Sequence, residues 1–281
     1  MAKRLFCEIN GFTYAISVSK ERLKRYMKNL LSRRRFAKTK GEPLPVLIYS
    51  HKSLIRRRLG NVDMELQNNK AINLSIAAPQ VDKVIIKPGE EFSFWRLVGK
   101  CTKAKGYLDG LTISVGKTGK GTGGGMCQFT NLLHWMTLHS PLTISEHHHH
   151  DNYDLFPDFG RQVPFGCGTS ILYNYQDYRV RNDTDITFQF IVYTIETHLC
   201  GELRASEPLP YKYHIAEKES VFIKIGENMY RRNKIYKAVV DKTTGAEISQ
   251  TLIKENNALV MYDETFIDPA LIQAEKTSIL I

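Results

Sequence analysis

The sequence predicts an α+β fold that is strand-rich and mostly antiparallel. A central helix follows a Gly-rich loop, and a basic helix stands near the N-terminus. Three observations carry this reading. Short apolar runs bounded by turn residues recur from about residue 82 onward. Residues 127–139 form a dense apolar block directly after a glycine run. Residues 19–40 space Leu23, Met27, Leu30 and Leu31 at three- and four-residue steps beside a basic face.

In chain order, the basic segment comes first. Ser19 reads as the cap of its helix, and Lys24, Arg25, Lys28, Arg33, Arg34 and Arg35 form the charged face. GEPLP at 41–45 breaks it, and Arg56, Arg57 and Arg58 follow as a second basic cluster. The chain has 281 residues and a net charge of +10. Residues 1–70 hold 17 Lys/Arg against 5 Asp/Glu, so the basic excess sits at one end and the remainder is near neutral. DKVIIKP (82–88) and LTISV (111–115) read as strands, as does LTISE (142–146), which runs into four histidines. TSILYNYQDYRV (169–180), DITFQFIVYTIE (185–196) and HLCGELRASE (198–207) read as neighbouring antiparallel strands. Short strand-like runs continue over 211–281. The expected domains are a basic amphipathic segment at 1–45, a central domain at 46–210 and a β-rich extension at 211–281.

Several function classes are excluded or set aside. No run approaches the roughly 18 apolar residues of a membrane span. Glu8 and Asn10 interrupt what would be the apolar centre of a signal peptide, so the N-terminus reads as uncleaved and the protein as cytoplasmic. The cysteines at 7, 101, 127, 167 and 200 are odd in number and form no C-x-x-C, which fits reduced thiols. GKT at 116–118 is not a phosphate loop, because Leu111 stands where that pattern needs Gly. Gly119, Gly121 and Gly124 fit G-x-G-x-x-G with Glu146 beyond. However, the dinucleotide fingerprint needs parallel βαβ context, and the chain after it reads as antiparallel. The basic segment has few aromatics and no recognised RNA or DNA module, so nucleic acid is not an expected partner.

The chemical signal lies in GTGGGMCQFTNLLHW (121–135). Cys127 opens a helix, whose amino end favours a thiolate. Gly123, Gly124 and Gly125 let backbone N–H groups approach a substrate, and Gln128 adds a side-chain donor. Together these are parts of a cysteine nucleophile with an oxyanion hole. On the strand leading to His147–His150, alternate side chains share a face, so His148 and His150 are the candidate bases. Asp151 or Asp154 would orient one of them. A packed, unreactive cysteine is the alternative, and so is a zinc site of His-x-His with Cys127. The reading assigns no metal and no cofactor. His134 and His139 read as structural.

Six ordered blocks then carry a family resemblance. PGEEFSFWRLVGK (88–100), KGYLDGLTISVGK (105–117), GGGMCQFTNLLHWMTLHSPL (123–142), EHHHHDNYDLFPD (146–158), PFGCGT (164–169) and RNDTDITF (181–188) resemble the VanW family. The family's glycines fall on Gly123, Gly124 and Gly125, its cysteine on Cys127 and its glutamine on Gln128. Its histidine segment, E-R-H-x-H, maps onto 146–150 with His148 and His150 as the best fit and His147 at the Arg position. Cys167 stands where members often carry a small residue, and reads as structural. The resemblance implies vancomycin resistance and a link to peptidoglycan or its precursors. It implies L,D-transpeptidase-like cysteine acyl transfer on peptidoglycan-type peptides, or a non-enzymatic envelope accessory role. The basic residues of 19–40 and 56–58 would then rest on an anionic membrane surface, on its inner face.

Overall fold

The computed structural model describes residues 5–57, 63–114, 117–149, 152–158 and 160–274. The fold is α+β, with more strand than helix and mostly antiparallel sheets. The elements run α1 (Gly11–Leu31), β1 (Arg35–Phe36), β2 (Val46–Leu54), α2 (Met64–Val81), β3 (Val84–Ile86), β4 (Glu90–Ser93) and α3 (Phe94–Val98). Next come β5 (Asp109–Ser114), β6 (Lys117–Thr122), α4 (Met126–Leu138), β7 (Thr143–Glu146) and β8 (Tyr153–Asp154). The chain finishes with β9 (Arg179–Arg181), β10 (Phe188–Thr194), β11 (His198–Ala205), β12 (Tyr211–Ile225), β13 (Asn228–Asp241), β14 (Glu247–Val260) and β15 (Ile272–Ala274).

The central sheet has the order β2-β11-β10-β3, and helices α2 and α4 pack on it. Alternate residues of its strands point inward. Phe188, Phe190, Val192, Leu199 and Leu203 therefore meet Leu74, Ala77, Leu132, Leu133 and Met136 in one core. A second sheet, β1-β4-β9-β7, carries the strand that leads to the histidines. The hairpin β5–β6 uses much of the glycine run as strand, so Gly119 and Gly121 are ladder residues rather than loop.

Helix α1 starts earlier than its periodicity predicts. Asn10, not Ser19, is the cap: its side chain accepts the Thr13 N–H at 3.0 Å, and the Thr13 hydroxyl accepts the Asn10 N–H at 3.1 Å. The expected strand over 169–180 shrinks to β9. Side chains replace the ladder there: Asp177 accepts the Trp95 and Tyr178 N–H groups, and a turn at Asn174 with φ of 50° folds Leu172 against Gln176. The short runs expected over 211–281 are parts of three long strands, two of them joined by a turn closed by the Gly245 N–H on Asp241 O. This sheet, β15-β12-β13-β14-β8, takes in β8 from the segment after the histidines. Ile235 of β13 also packs with Trp135 and Leu138 of α4.

Candidate functional site

Helix α4 begins at a backbone crossing. Gly125, its N-cap, has φ of 108°, in the region that favours glycine. A Cβ on Gly124 would stand 2.4 Å from the Gly110 carbonyl carbon of β5, and one on Gly125 would stand 2.4 Å from Lys70 Cγ. The run therefore has no room for side chains. It seats the helix end against β5 and α2. The Gly123 N–H donates to Leu108 O at 2.9 Å and the Gly124 N–H to Gly121 O at 3.2 Å. Both groups serve the turn. Donors for an oxyanion at this place belong instead to the first turn of α4. Gln128 is also engaged: its Nε2 donates to Ser53 Oγ and to Leu54 O, both at 2.9 Å, and so pins the helix to β2.

Cys127 is partly buried in that first turn. Burial pushes its thiol up, while N–H groups from the Ile171 backbone and its own backbone pull the other way. The helix end alone would lower the thiol, as the sequence reading expects. In the resting protein burial outweighs it.

One short loop joins this cysteine to the histidines. The Thr169 hydroxyl reaches Cys127 O at 3.3 Å, and its N–H donates to Asn131 Oδ1 at 2.6 Å. The Ser170 N–H donates to His148 O at 2.6 Å, and His147 Nε2 lies 2.8 Å from Gly168 O. A Cβ on Gly168 would sit 3.1 Å from His149 Nε2 and 3.8 Å from Asn131 Oδ1. Hence His147 and His149 face helix α4. His147 stacks on His134 with ring centroids 4.3 Å apart and planes 4° apart. Burial and the neighbouring His147 and His149 hold His134 well below the usual imidazole range, so it is neutral at pH 7. Asn131 is one turn from Cys127 and His134 nearly two, which is roughly 6 Å and 10 Å of helix rise. His149 thus lies across Gly168 from Asn131, whereas His147 lies against His134.

His148 and Asp154 have side-chain partners of their own. His148 Nε2 is 3.1 Å from Glu146 Oε1, within a polar network. Asp154 takes the Tyr262 hydroxyl at 2.9 Å and Arg231 at 3.3 Å, which ties β8 to the C-terminal sheet. His150 and Asp151 lie outside the described residues. Cys167 is buried against Trp135, and burial pushes its thiol up to about 12. His139 stacks on Tyr49 at 3.8 Å. Among the described residues, no three His, Cys, Asp or Glu side chains converge as metal ligands.

Sequence reasoning missed helix α2 and with it Gln67, Lys70 and Asn73. Its weak apolar pattern hides it, since Gln67, Lys70 and Asn73 are buried polar residues on its inner face. The signal present was Asp63 as cap ahead of Leu66, Leu74, Ala78 and Val81. Asn73 joins the site directly, with Nδ2 donating to Gly124 O at 2.9 Å and to Leu108 O at 3.0 Å.

The basic residues divide as well. Arg22, Arg25 and Asn29 face the body: Arg25 holds Glu146 through two bonds of 2.6 Å, and Asn29 accepts from Arg179 at 2.9 Å. The apolar stripe of α1 faces away from it, with Phe12 74 % and Leu30 78 % exposed. Arg56 donates to Asn68 and to Glu196 O, and Arg58 lies outside the described residues. No helix among the described residues is long and apolar enough to cross a membrane.

Comparison with known proteins adds three findings. The model of the family described as VanW like protein matches residues 69–204. The Vancomycin B-type resistance protein VanW of Enterococcus faecalis is 36 % identical over 228 residues, covering 81 % of this chain and 82 % of that protein. The uncharacterized protein YoaR of Bacillus subtilis is 29 % identical over 117 residues, covering 41 % of this chain and 36 % of that protein. No solved structure matches the chain.

Proposed function

The chain belongs to the VanW family, and on that premise we propose that it is a cysteine-dependent acyl transferase acting on peptidoglycan-type peptides or their precursors. The observation that carries the reading is the loop Gly168–Ile171, which touches both Cys127 and the histidine segment. The relative's printed name, a vancomycin resistance protein, agrees with a cell-envelope substrate.

In the proposed reaction an imidazole of the 147–150 segment takes the Cys127 proton. The sulfur attacks a peptide carbonyl, and a C–S bond forms. N–H groups of the first turn of α4 hold the negative oxygen. The C–N bond then breaks, and the imidazolium gives its proton to the leaving amine. An acceptor amine or water attacks the thioester, the C–S bond breaks, and the thiol returns. His149 takes the base role on geometry, with His147 behind it. A buried, protonated resting thiol suits this scheme, because proton removal is coupled to attack.

The test uses a stem-type peptide containing D-amino acids, with an amine acceptor, and mass spectrometry for the acyl-enzyme. Cys127→Ala is expected to lower turnover by roughly a thousandfold or more, and His149→Ala by about a hundredfold. Full turnover in the Cys127→Ala variant ends the proposal. Thiol labelling near neutral pH gives a second check. Cys101, pushed up to about 11 by burial, is the slow reference, and a Cys127 labelled no faster has no base to take its proton as the sulfur attacks.

A second reading is favoured by α1. At about 100° per residue, Phe12, Ile16, Leu23, Met27 and Leu30 share one face, and Lys20 and Lys24 border it. An exposed apolar stripe with a basic margin suits the anionic inner face of a membrane, where it would act as an anchor with or without catalysis. Co-sedimentation with anionic vesicles is expected to weaken with salt and on Leu23→Ser/Leu30→Ser substitution. Binding indifferent to both changes rules the anchor out.

A further inference from the structure

Helix α2 passes beneath the amino end of α4 and leaves there one fully buried amide donor without an acceptor, Gln67 Nε2, beside the largely buried Lys70. Lys70 is only 7 % exposed, and its Cγ and Cδ lie against Gly125. Its ammonium, two bonds beyond Cδ, has no hydrogen bond or ion pair among the described residues. Gln67, three residues back on the same face, is fully buried. Its Oε1 takes the Arg57 N–H at 3.4 Å, and its Nε2 has no partner. Arg57 also has no acidic partner among the described residues, and its charge acts on both Lys70 and His51. Above them stands the positive end of the dipole of a 13-residue helix. A place rich in donors and poor in acceptors is costly when empty and favourable when an anion enters.

We infer that Lys70, Gln67 and the amino end of α4 form a binding subsite for a carboxylate beside Cys127, so that the ligand is a peptide carrying a free carboxyl group near the bond attacked. That this peptide is a substrate rests on the acyl-transfer reading above; the carboxylate subsite does not. A carboxylate offers the two acceptor oxygens that one ammonium and one amide can share. Gly125, Cys127 and Gln128 keep partial exposure, so the place is reachable from solvent. Burial, with Arg57 adding to it, lowers Lys70 to about 7 in the empty protein. An entering anion favours the ammonium, so binding takes up a proton and weakens as pH rises above 7. The charged groups facing Lys70 are Arg57, from the segment after β2, and the positive end of the α4 dipole.

The experiment is calorimetric titration of the full chain with N-acetylglycine and with its neutral amide, at pH 6 and pH 8.5. The acid should bind the wild type at pH 6 and about thirtyfold more weakly at pH 8.5, from the fraction of Lys70 still protonated. The amide should bind at neither pH. Lys70→Arg should bind the acid equally at both, because a guanidinium stays charged. Lys70→Met, checked for folding by its thermal melt, should lose the preference for acid over amide. If Lys70→Met does not fold, the flat pH profile of Lys70→Arg decides. The inference is overturned if the wild type binds acid and amide alike, if it binds neither at millimolar concentration, or if Lys70→Arg keeps the wild-type pH dependence. Inorganic phosphate binding tenfold tighter than N-acetylglycine would replace the carboxylate with a phosphoryl group and also overturn it. The Cys127→Ala variant separates the two readings. Carboxylate binding without turnover in the wild type removes acyl transfer alone. Turnover without Lys70-dependent binding removes the subsite alone.

Discussion

At the exit of β7, Arg25, Glu146, Asp177 and Arg179 close on one another; at the amino end of α4, Gln67, Lys70 and Arg57 do not. In the first cluster each charge is answered. Arg179 Nε meets Asp177 at 2.8 Å and Glu146 at 3.4 Å, and its Nη1 meets Glu91 at 3.5 Å. Burial opposes ionisation of Glu146, yet His148, Arg25 and the Asp177 N–H together pull its carboxyl down to about 2. In the second cluster burial has no such opposition, and Lys70 sits near neutrality. The two clusters share a core, so the difference is not one of depth. The first is complete within the chain, and the second has no acidic partner among the described residues. Buried charge therefore marks structure in one place and a ligand's place in the other.

The contrast can be broken most forcefully at Arg179. Arg179→Met leaves Asp177 buried without its cation and Glu91 with Arg34 alone, and a loss of about 3–5 kcal/mol is expected in chemical denaturation. A loss below about 1 kcal/mol would show that the network is not closed as described. Next is acid sensitivity. Glu146 is depressed from 4.5 to about 2 in the fold, so its contribution is present above pH 4.5 and disappears as pH falls towards 2. That contribution is about 3 kcal/mol, and Glu146→Gln should flatten this part of the stability profile.

Lys70 gives a slope of the same sign at higher pH, but from a charge the fold disfavours rather than one it holds. Its folded value lies below the unfolded one of 10.5, so the unfolded chain binds the extra proton between pH 7 and 10.5. Wild-type stability should rise across that window. Lys70→Met should keep or raise the melting temperature at pH 6 and shrink the rise, leaving the part due to Lys237, which burial lowers to about 8. A fall in melting temperature at pH 6 would mean that Lys70 is a paired structural cation. The smallest effect belongs to the α1 stripe. Leu30→Ser is expected to change stability by less than about 0.5 kcal/mol, because the side chain touches little of the body.

How much of this was readable from the chain depends on where the polarity falls. Helix α4 was legible because Leu132, Leu133, Met136 and Leu138 are apolar and a glycine run precedes them. The nearness of the histidines was open until the loop Gly168–Ile171 appeared between them and Cys127, since no local pattern encodes a meeting of segments 20 to 40 residues apart. The face that each histidine takes depends on Glu146 and Gly168, and neither advertises a partner in sequence. Helix α2 was illegible for the reason that makes it interesting: Gln67, Lys70 and Asn73 interrupt its buried apolar face and imitate a surface. Basic residues of 19–40 read as a charged outer face, yet Arg22, Arg25, Arg34 and Arg35 all bond to the body, and the leucines remain outside.

The strand β8 has a consequence for where this protein can be cut. The family model ends at residue 204, but β8 pairs with β14, and Asp154 is held by Arg231 and Tyr262. The segment leaving the histidines is thus fastened by residues beyond that boundary, just as the segment entering them is fastened through Glu146 by Arg25 of α1. A fragment trimmed to the matched region would keep Cys127 and His147–His149 and lose both fastenings. The unit that can hold the histidines in place is larger than the unit that names the family.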